Sequence, residues 1–254
     1  MSALLRVAAV QHDIAWEDAE QTCARVAKLV VEGARAGARL VVLPEMFATG
    51  FSMRPERIAE DEGGPVERFL VDQAREHDLY LLGSIAQRGG DGRFRNNAVL
   101  ARPDATVERY AKIHPFSYAG EHERYAAGDR FLTADVEGVR TSVFVCYDLR
   151  FADTFWKVTD GTDLYAVVAN WPAARRVHWQ TLLQARAIEN QAYVVGVNRV
   201  GTGDDLDYAG DSRVVDPMGE VLAAAAATET VLVVDVDPGL VASTRARFPF
   251  MADR

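Results

Sequence analysis

Short apolar runs alternate with segments of helical periodicity along this chain, and no other sequence feature restricts its fold as strongly. Residues 7–10, 40–43 and 164–169 are almost continuous runs of aliphatic side chains, the pattern of strands buried on both faces. Residues 16–36 and 66–77 instead place apolar side chains three or four positions apart, as on one face of a helix. This alternation predicts an α/β fold with a mixed sheet.

The length and the net charge of the chain further restrict its domain organisation and its possible partners. The chain has 254 residues, of which 49% are hydrophobic, so it can bury a large core as one domain over residues 1–254. Its formal charge is −9, and no block of Lys and Arg is present, which argues against nucleic acid as a partner.

Targeting segments and metal motifs are not evident. No stretch approaches the roughly 18 uninterrupted apolar residues of a membrane helix, so no membrane partner is expected. The apolar residues 1–10 run directly into polar residues 11–13 and are interpreted as a first strand, not a signal peptide. Cys23 and Cys146 are too few for a disulfide framework and lack zinc-binding spacing. We therefore expect a cytoplasmic protein without a bound metal.

Cys146 lies where a β-branched and aromatic run gives way to polar residues, within 141–151. The run predicts a strand that ends at Cys146. A helix beginning just beyond it would direct amide groups and a helix dipole at the sulfur and lower the thiol pKa, as a nucleophile requires. Position alone favours the alternative interpretation, a small buried core residue.

Two charged residues also follow predicted strands. Glu45 comes after the strand 40–43, and Lys112 follows residues 106–111 and opens a polar, aromatic loop over 112–129. A loop of that length in a compact fold usually carries function, so we interpret it as one wall of a site. A thiol, a carboxylate that moves its proton and an ammonium that holds negative charge are the groups that acyl transfer from an amide requires.

Three segments then resemble a known family. Residues 43–47 (LPEMF), 110–114 (YAKIH) and 145–151 (VCYDLRF) are similar, in this order, to the three catalytic motifs of the nitrilase superfamily of carbon–nitrogen hydrolases. The resemblance implies an α/β fold built as a four-layer α-β-β-α sandwich. It also implies Glu45 as general base, Lys112 as stabiliser of the tetrahedral intermediate and Cys146 as nucleophile, with no metal or organic cofactor.

The same resemblance implies a second carboxylate in the loop after the lysine. Family members carry a glutamate a few residues before a Gly-Asp pair, and counting back from 128–129 indicates Glu121. Glu123 is the alternative.

Within the superfamily, residues 45–53, 116–125 and 170–175 most resemble the bacterial ω-amidase group, which hydrolyses monoamides of short dicarboxylic acids such as 2-oxoglutaramate. Because the chain is acidic overall, a local arginine must bind the distal carboxylate of such a substrate. Arg175 is the first candidate, and Arg150 and Arg176 are the others. The remaining expected substrate-binding residues are aromatic: Tyr118, Tyr147 and Trp171.

Other functions stay open at this level. Hydrolysis of N-carbamoyl amines or nitriles would use the same three groups, and a non-catalytic binding protein would keep the fold alone. The resemblance also suggests a homodimer or larger assembly, in which Phe248, Pro249 and Phe250 contact a partner; that tail could instead fold back on its own core.

Overall fold

The protein is described by a computed structural model that covers residues 4–253. The first three residues of the predicted initial strand, and residue 254 of the predicted domain, lie outside this range. With elements numbered along the chain, one sheet contains, in spatial order, β14 (Thr230–Val236), β1 (Leu5–Gln11), β2 (Leu40–Val42), β4 (Tyr80–Arg88), β5 (Phe94–Ala101) and β6 (Val107–Ala111), with β3 (Glu60–Asp61) paired to β4.

A second sheet is built from the later strands. Its spatial order is β11 (Val200–Gly203), β12 (Leu206–Val215), β10 (Tyr193–Asn198), β9 (Leu164–Ala169), β8 (Val139–Val145) and β7 (Thr133–Val136), with β13 (Val221–Ala226) paired to β12. Strands β8, β9 and β10 run parallel to one another, as do β1, β2 and β4.

Helices and short 3-10 turns connect the strands. The helices are α1 (Ala19–Arg35), α2 (Pro55–Ile58), α3 (Pro65–Glu76), α4 (Glu121–Arg124), α5 (Ala152–Trp156), α6 (Arg176–Asn190) and α7 (Pro238–Arg247). The 3-10 turns are Ser117–Ala119, Cys146–Arg150, Thr159–Gly161, Ala173–Arg175 and Phe250–Asp253.

The alternation of side chains along β1 explains the layering. Leu5, Val7 and Ala9 belong to the core between the two sheets, whereas Ala8 and Val10 pack in a separate core with α1 and α3. Helix α6 covers the opposite face of the second sheet. Successive residues of a strand point to opposite faces, so one strand serves both cores. The predicted α-β-β-α sandwich is confirmed.

Several local predictions differ from the structure. The helix predicted over 153–159 is α5 followed by the 3-10 turn Thr159–Gly161, because the amides of Val158 and Gly161 donate to carbonyls three residues back, those of Phe155 and Val158, and not four. The alanine-rich segment 223–227, to which no structure was assigned, contributes most of β13. Pairing with β12 forms this strand despite the low β propensity of alanine.

The C-terminal segment packs on its own chain. Gln191 Nε2 donates to the Phe248 carbonyl, and one Arg245 nitrogen donates to the carbonyls of Thr162 and Asn190. Phe250 keeps 64% of its surface exposed. The tail thus folds back on its own chain, which was one of its two predicted arrangements. A homodimer stays a prediction. In the part of the chain that is described, no helix has the length and apolar character needed to span a membrane.

His12, the residue after β1, makes the stability of the folded protein depend on pH in the acidic range. Its ring is fully buried, and its Nε2–H donates to the Phe47 carbonyl at 3.0 Å. Burial lowers its pKa from 6.5 to about 4. The unfolded chain therefore takes up a proton that the folded protein resists, so the stability present above pH 6.5 declines as the pH falls toward 4.

We expect this one histidine to remove roughly 3 kcal/mol from the free energy of unfolding between pH 7 and pH 4. Urea unfolding of the wild type and of His12→Gln at both pH values measures it, since the pH 7 comparison isolates the cost of the substitution itself. Equal losses on acidification in both proteins would assign the acid sensitivity to other groups.

Candidate active site

Four side chains from separate segments meet beside the ends of the two sheets. Glu45 follows β2 of the first sheet, Lys112 follows β6 of the same sheet, and Cys146 follows β8 of the second. Glu121 is the first residue of α4. Strand ends are where α/β folds commonly place ligands, and here both sheets contribute to one cluster.

Lys112 lies between the two carboxylates. Its Nζ is 2.9 Å from Glu45 Oε1 and 2.8 Å from Glu121 Oε2. The side chains of Glu45 and Glu121 are completely buried, and that of Lys112 is 1% exposed. Two buried carboxylates and one ammonium are held together because each charge would be costly to bury without a partner.

The pKa values of this cluster follow from its burial and its charges. Burial opposes the charged form of Lys112, but the carboxylates of Glu121 and Glu45 prevail and raise its pKa. Burial raises the pKa of Glu121, the Lys112 charge works in the opposite direction, and Glu45 adds to the increase. Lys112 is therefore an ammonium at neutral pH.

Asn96 on β5 orients both carboxylates, and our sequence analysis did not identify it. Its Nδ2 donates to Glu45 Oε1 at 2.7 Å and to Glu121 Oε1 at 3.3 Å. Its Oδ1 accepts from the hydroxyl of Ser84, whose Oγ in turn accepts from the Met46 amide. The sequence signal was a pair of amides, 96–97, at the start of a strand that is otherwise apolar.

Cys146 stands on a sharp turn and not at the end of the strand. Strand β8 ends at Val145, and Cys146 opens a 3-10 turn with a φ of +47°, a conformation that non-glycine residues rarely adopt. Such backbone outliers cluster at functional sites, where the surrounding structure maintains them. The residue is 9% exposed and lines a pocket.

The expected depression of the thiol pKa is wrong for this structure. Burial and the nearby Glu45 carboxylate raise the pKa of Cys146 well above 9, and Lys112 only partly opposes them. A single 3-10 turn has too few aligned peptides to offset desolvation of a thiolate. The raised pKa favours the thiol form of the resting sulfur, so a nucleophilic role would require a base.

Asn170, directly after β9, completes the surroundings of Glu45. Its backbone N–H donates to Glu45 Oε2 at 2.8 Å, and its side-chain amide donates to the Glu45 carbonyl. Its own carbonyl oxygen lies 4.0 Å from Cys146 Sγ. Sequence analysis placed this residue in the segment 170–175 that resembles the ω-amidase group but assigned it no role. It links the carboxylate of the first sheet to the thiol of the second.

A cavity of about 310 Å³ opens onto Cys146. Five of the six predicted substrate-binding residues line it, and Arg176 is the exception. Other lining residues come from the loop before α2 and from the β11–β12 hairpin, which were not predicted. The lining is largely aromatic and includes Phe51, Met53, Phe116, Tyr118, Tyr147, Arg150, Trp171, Arg175, Asp204, Leu206 and Tyr208.

The three candidate arginines differ in their partners. Arg175 lies over the Phe116 ring at 5.3 Å, and Arg150 lies over the Trp171 ring at 4.9 Å and donates to His178 Nδ1. Among residues 4–253, neither forms an ion pair with a carboxylate. Arg176 instead forms a two-pronged ion pair with Asp211 and does not line the cavity.

The remaining predicted residues have distinct settings. Tyr118 is 87% exposed at the rim of the cavity, whereas Trp171 is 3% exposed and donates from its indole nitrogen to the Arg175 carbonyl. Tyr147 packs against Phe116 with 4.8 Å between ring centroids. Glu123, the alternative second carboxylate, is exposed to solvent.

Comparisons with known proteins agree with this geometry. The family model described as carbon-nitrogen hydrolase matches residues 6–246. The omega-amidase YafV of Escherichia coli (strain K12) is 38% identical, with 98% of this chain and 96% of that protein covered. The 2-oxoglutaramate amidase of Bacillus subtilis (strain 168) is 30% identical, with 97% and 96% covered.

A solved structure matches as well. XC1258 from Xanthomonas campestris, described as a CN-hydrolase superfamily protein with an arsenic adduct in its active site, superposes with a TM-score of 0.94 at 38% identity, with 99% of this chain and 97% of that chain covered. The resemblance inferred from three short motifs is confirmed, and this chain belongs to the carbon–nitrogen hydrolase family, the nitrilase superfamily of enzymes that hydrolyse carbon–nitrogen bonds other than peptide bonds.

Proposed function

We propose that this protein hydrolyses the terminal amide of a short dicarboxylic acid monoamide, of the 2-oxoglutaramate or succinamate type, through a thioester on Cys146. The observation that carries the substrate class is a pair of guanidinium groups, Arg150 and Arg175, that line the Cys146 cavity and form no ion pair with a carboxylate of the described chain. The names of the Escherichia coli and Bacillus subtilis relatives point to the same chemistry.

The first step is attack on the amide carbonyl. Glu45 accepts the Cys146 proton as the sulfur bonds to carbon, because the raised pKa of the thiol leaves little thiolate in the resting protein. The carbonyl oxygen gains negative charge, which Lys112 Nζ stabilises together with the amide of Tyr147. That amide belongs to the first turn of a 3-10 helix, where backbone N–H groups lack intrahelical acceptors.

The second step expels ammonia. The tetrahedral intermediate collapses, the carbon–nitrogen bond breaks, and the leaving nitrogen takes the proton held by Glu45. A water molecule, deprotonated by Glu45, then attacks the thioester. Breaking the carbon–sulfur bond returns the proton to the sulfur and releases the free acid.

Glu121 supports this chemistry through Lys112. It accepts two hydrogen bonds from Nζ, at 2.8 and 3.1 Å, and one from the Phe116 amide. These contacts keep the ammonium protonated and fixed while Glu45 changes its own charge during turnover. Glu121 is therefore a positioning residue in this scheme and not a second base.

The far end of the substrate would meet the two arginines. Each guanidinium lies over an aromatic ring, which restricts its movement and limits its hydration, and a carboxylate can accept two parallel hydrogen bonds from it. The acidic chain cannot attract such a substrate by its overall field, so a local contact has to provide the selectivity.

Replacing Arg175 tests that selectivity. We expect Arg175→Ala to raise the KM for succinamate about 10- to 100-fold, the value of a hydrogen bond to a charged group, and to leave butyramide almost unaffected. Arg176→Ala is the matched control, because it removes a neighbouring arginine already paired with Asp211. If the two substitutions raise the KM values for succinamate and butyramide equally, Arg175 is structural. Arg150 is then the remaining candidate for binding the carboxylate.

N-carbamoyl amines and nitriles are the competing substrates, since the same three groups would serve them. Ammonia release from a panel of succinamate, 2-oxoglutaramate, an N-carbamoyl amine and a nitrile of similar size separates the three classes. A wild-type preference for neutral amides or carbamoyl amines would overturn the proposed substrate and leave only the broader assignment.

A further inference from the structure

Asp148, two residues after Cys146, is a fully buried carboxylate with an unusual number of donors. Its Oδ2 accepts from the Val145 amide at 3.0 Å and from the Tyr110 hydroxyl at 2.9 Å. Its Oδ1 accepts from the backbone amide and from Nδ1 of His114, both at 2.9 Å. The Asp148 carboxylate therefore accepts four hydrogen bonds, two on each oxygen, and both oxygens have their full number of donors.

The donors occupy defined places relative to the reacting groups. Tyr110 precedes Lys112 by two residues, and His114 follows it by two. Val145 is the residue directly before Cys146. The Asp148 carboxylate thus contacts the chain on both sides of Lys112, which follows a strand of the first sheet. It also contacts the residue before Cys146, which follows a strand of the second sheet. One side chain therefore connects the segment of the ammonium to the segment of the thiol.

A ring contact strengthens the same connection. His114 stacks face to face on Phe151, the residue directly after the Cys146–Arg150 turn, with 3.7 Å between centroids and an 8° angle between planes. The backbone of Lys112 is further tied to β5 by its N–H bond to the Asn96 carbonyl. The segment that carries Lys112 is therefore held on both sides.

We propose that Asp148 is a positioning residue that sets the separation between Lys112 Nζ and Cys146 Sγ. The inference rests on the roles proposed above for those two groups. A carboxylate is required here because asparagine has one acceptor oxygen, and its NH₂ group would face two of the four donors. The turn and the loop would then separate at the point where the oxyanion has to be held.

The experiment compares Asp148→Asn with Asp163→Asn. Asp163 is another buried carboxylate that accepts several hydrogen bonds, in its case from Arg140, but it lies at the amino ends of β8 and β9, away from the site. Tyr110→Phe removes a single donor and keeps the ring, so it gives a graded version that folds even if Asp148→Asn does not. All variants carry Cys23→Ala, which leaves one thiol.

Two readouts are measured on the folded variants. The first is kcat and KM with succinamate; we expect kcat to fall about 100-fold in Asp148→Asn, the effect of a displacement near 1 Å, with KM within about threefold of the wild-type value. The second is the rate of Cys146 alkylation by iodoacetamide against pH. Because the Lys112 charge favours the thiolate, a more distant ammonium moves the alkylation midpoint to higher pH.

The proposal stands if Asp148→Asn, or Tyr110→Phe to a smaller degree, lowers kcat and raises the alkylation midpoint while Asp163→Asn changes neither. It is overturned if the midpoint stays at its wild-type value in both site variants, or if Asp163→Asn lowers kcat equally. Alkylation needs no amide substrate, so this outcome is separate from the proposed function. Failure of the wild type to release ammonia from any amide would overturn the function and leave the alkylation comparison decisive for Asp148.

Discussion

Replacing Cys146 with alanine is expected to abolish amide hydrolysis, with a loss on the order of 10⁶-fold, the scale seen when a catalytic nucleophile is deleted. Cys146 lines the cavity, beside Glu45 and Lys112, and Cys23, the other described thiol, does not. Ammonia release from succinamate measures the loss. Mass spectrometry of the wild type, quenched during turnover, should detect an acyl adduct on Cys146 that the variant lacks.

Cys23→Ala is the control for that experiment. Cys23 lies on α1, packed against the core beside the first sheet, where burial raises its pKa to about 12. A thiol with such a pKa needs a neighbouring base to react, and Cys23 lies outside the cavity and away from Glu45 and Lys112, so we expect nearly full activity from this variant. Wild-type rates of ammonia release from a protein without Cys146 would disprove the assignment of the nucleophile.

Lys112→Met should produce the second largest effect. The substitution keeps a long side chain but removes the charge proposed to stabilise the developing oxyanion, and losing one such donor costs about 100- to 1,000-fold in kcat. The effect should appear in kcat and kcat/KM together, because the interaction is strongest in the transition state. Steady-state kinetics with succinamate measure both constants.

Stability must be measured alongside, because this variant leaves Glu45 and Glu121 buried without their cation. Removing one partner of a buried ion pair typically destabilises a protein by about 3–5 kcal/mol. Circular dichroism and urea unfolding give the folded fraction by which kcat is corrected. A variant that changes only the apparent affinity for succinamate would move Lys112 from oxyanion stabilisation to substrate binding.

The architecture followed from local patterns in the sequence. Continuous aliphatic runs identified β1, β2 and β9, because strands buried on both faces leave no position for a polar side chain. Strand β13 was missed, since alanine and its exposed neighbours carry no strand signal and pairing with β12 alone forms it.

The residues of the site were found with uneven success. Glu45, Lys112 and Cys146 were singled out because each follows a strand and carries a functional group. Asn96 was missed, because an amide inside a strand has no recognisable motif and its role depends on which strands become neighbours. Long-range pairings also decided which arginine remains unpaired, since the contact between Arg176 and Asp211 spans 35 residues.

The direction of the thiol pKa could not be predicted from the sequence either. A helix beginning beyond Cys146 would favour the thiolate, but the structure has a short turn there, and the pKa depends on burial and on Glu45, which is about a hundred positions earlier in the chain. Desolvation is a property of the assembled fold, and a local motif contains no measure of it.

The division of the site between two sheets has a consequence for folding. Glu45, the proposed base, and Lys112 follow strands of one sheet, while Cys146, the proposed nucleophile, follows a strand of the other, and an apolar interface joins the two sheets. Neither half of the molecule holds a set of groups that can hydrolyse an amide, so a partly folded chain with only one sheet formed is inactive. Activity in this protein is thus a direct indicator of cooperative assembly, because it arises only when the two halves have docked.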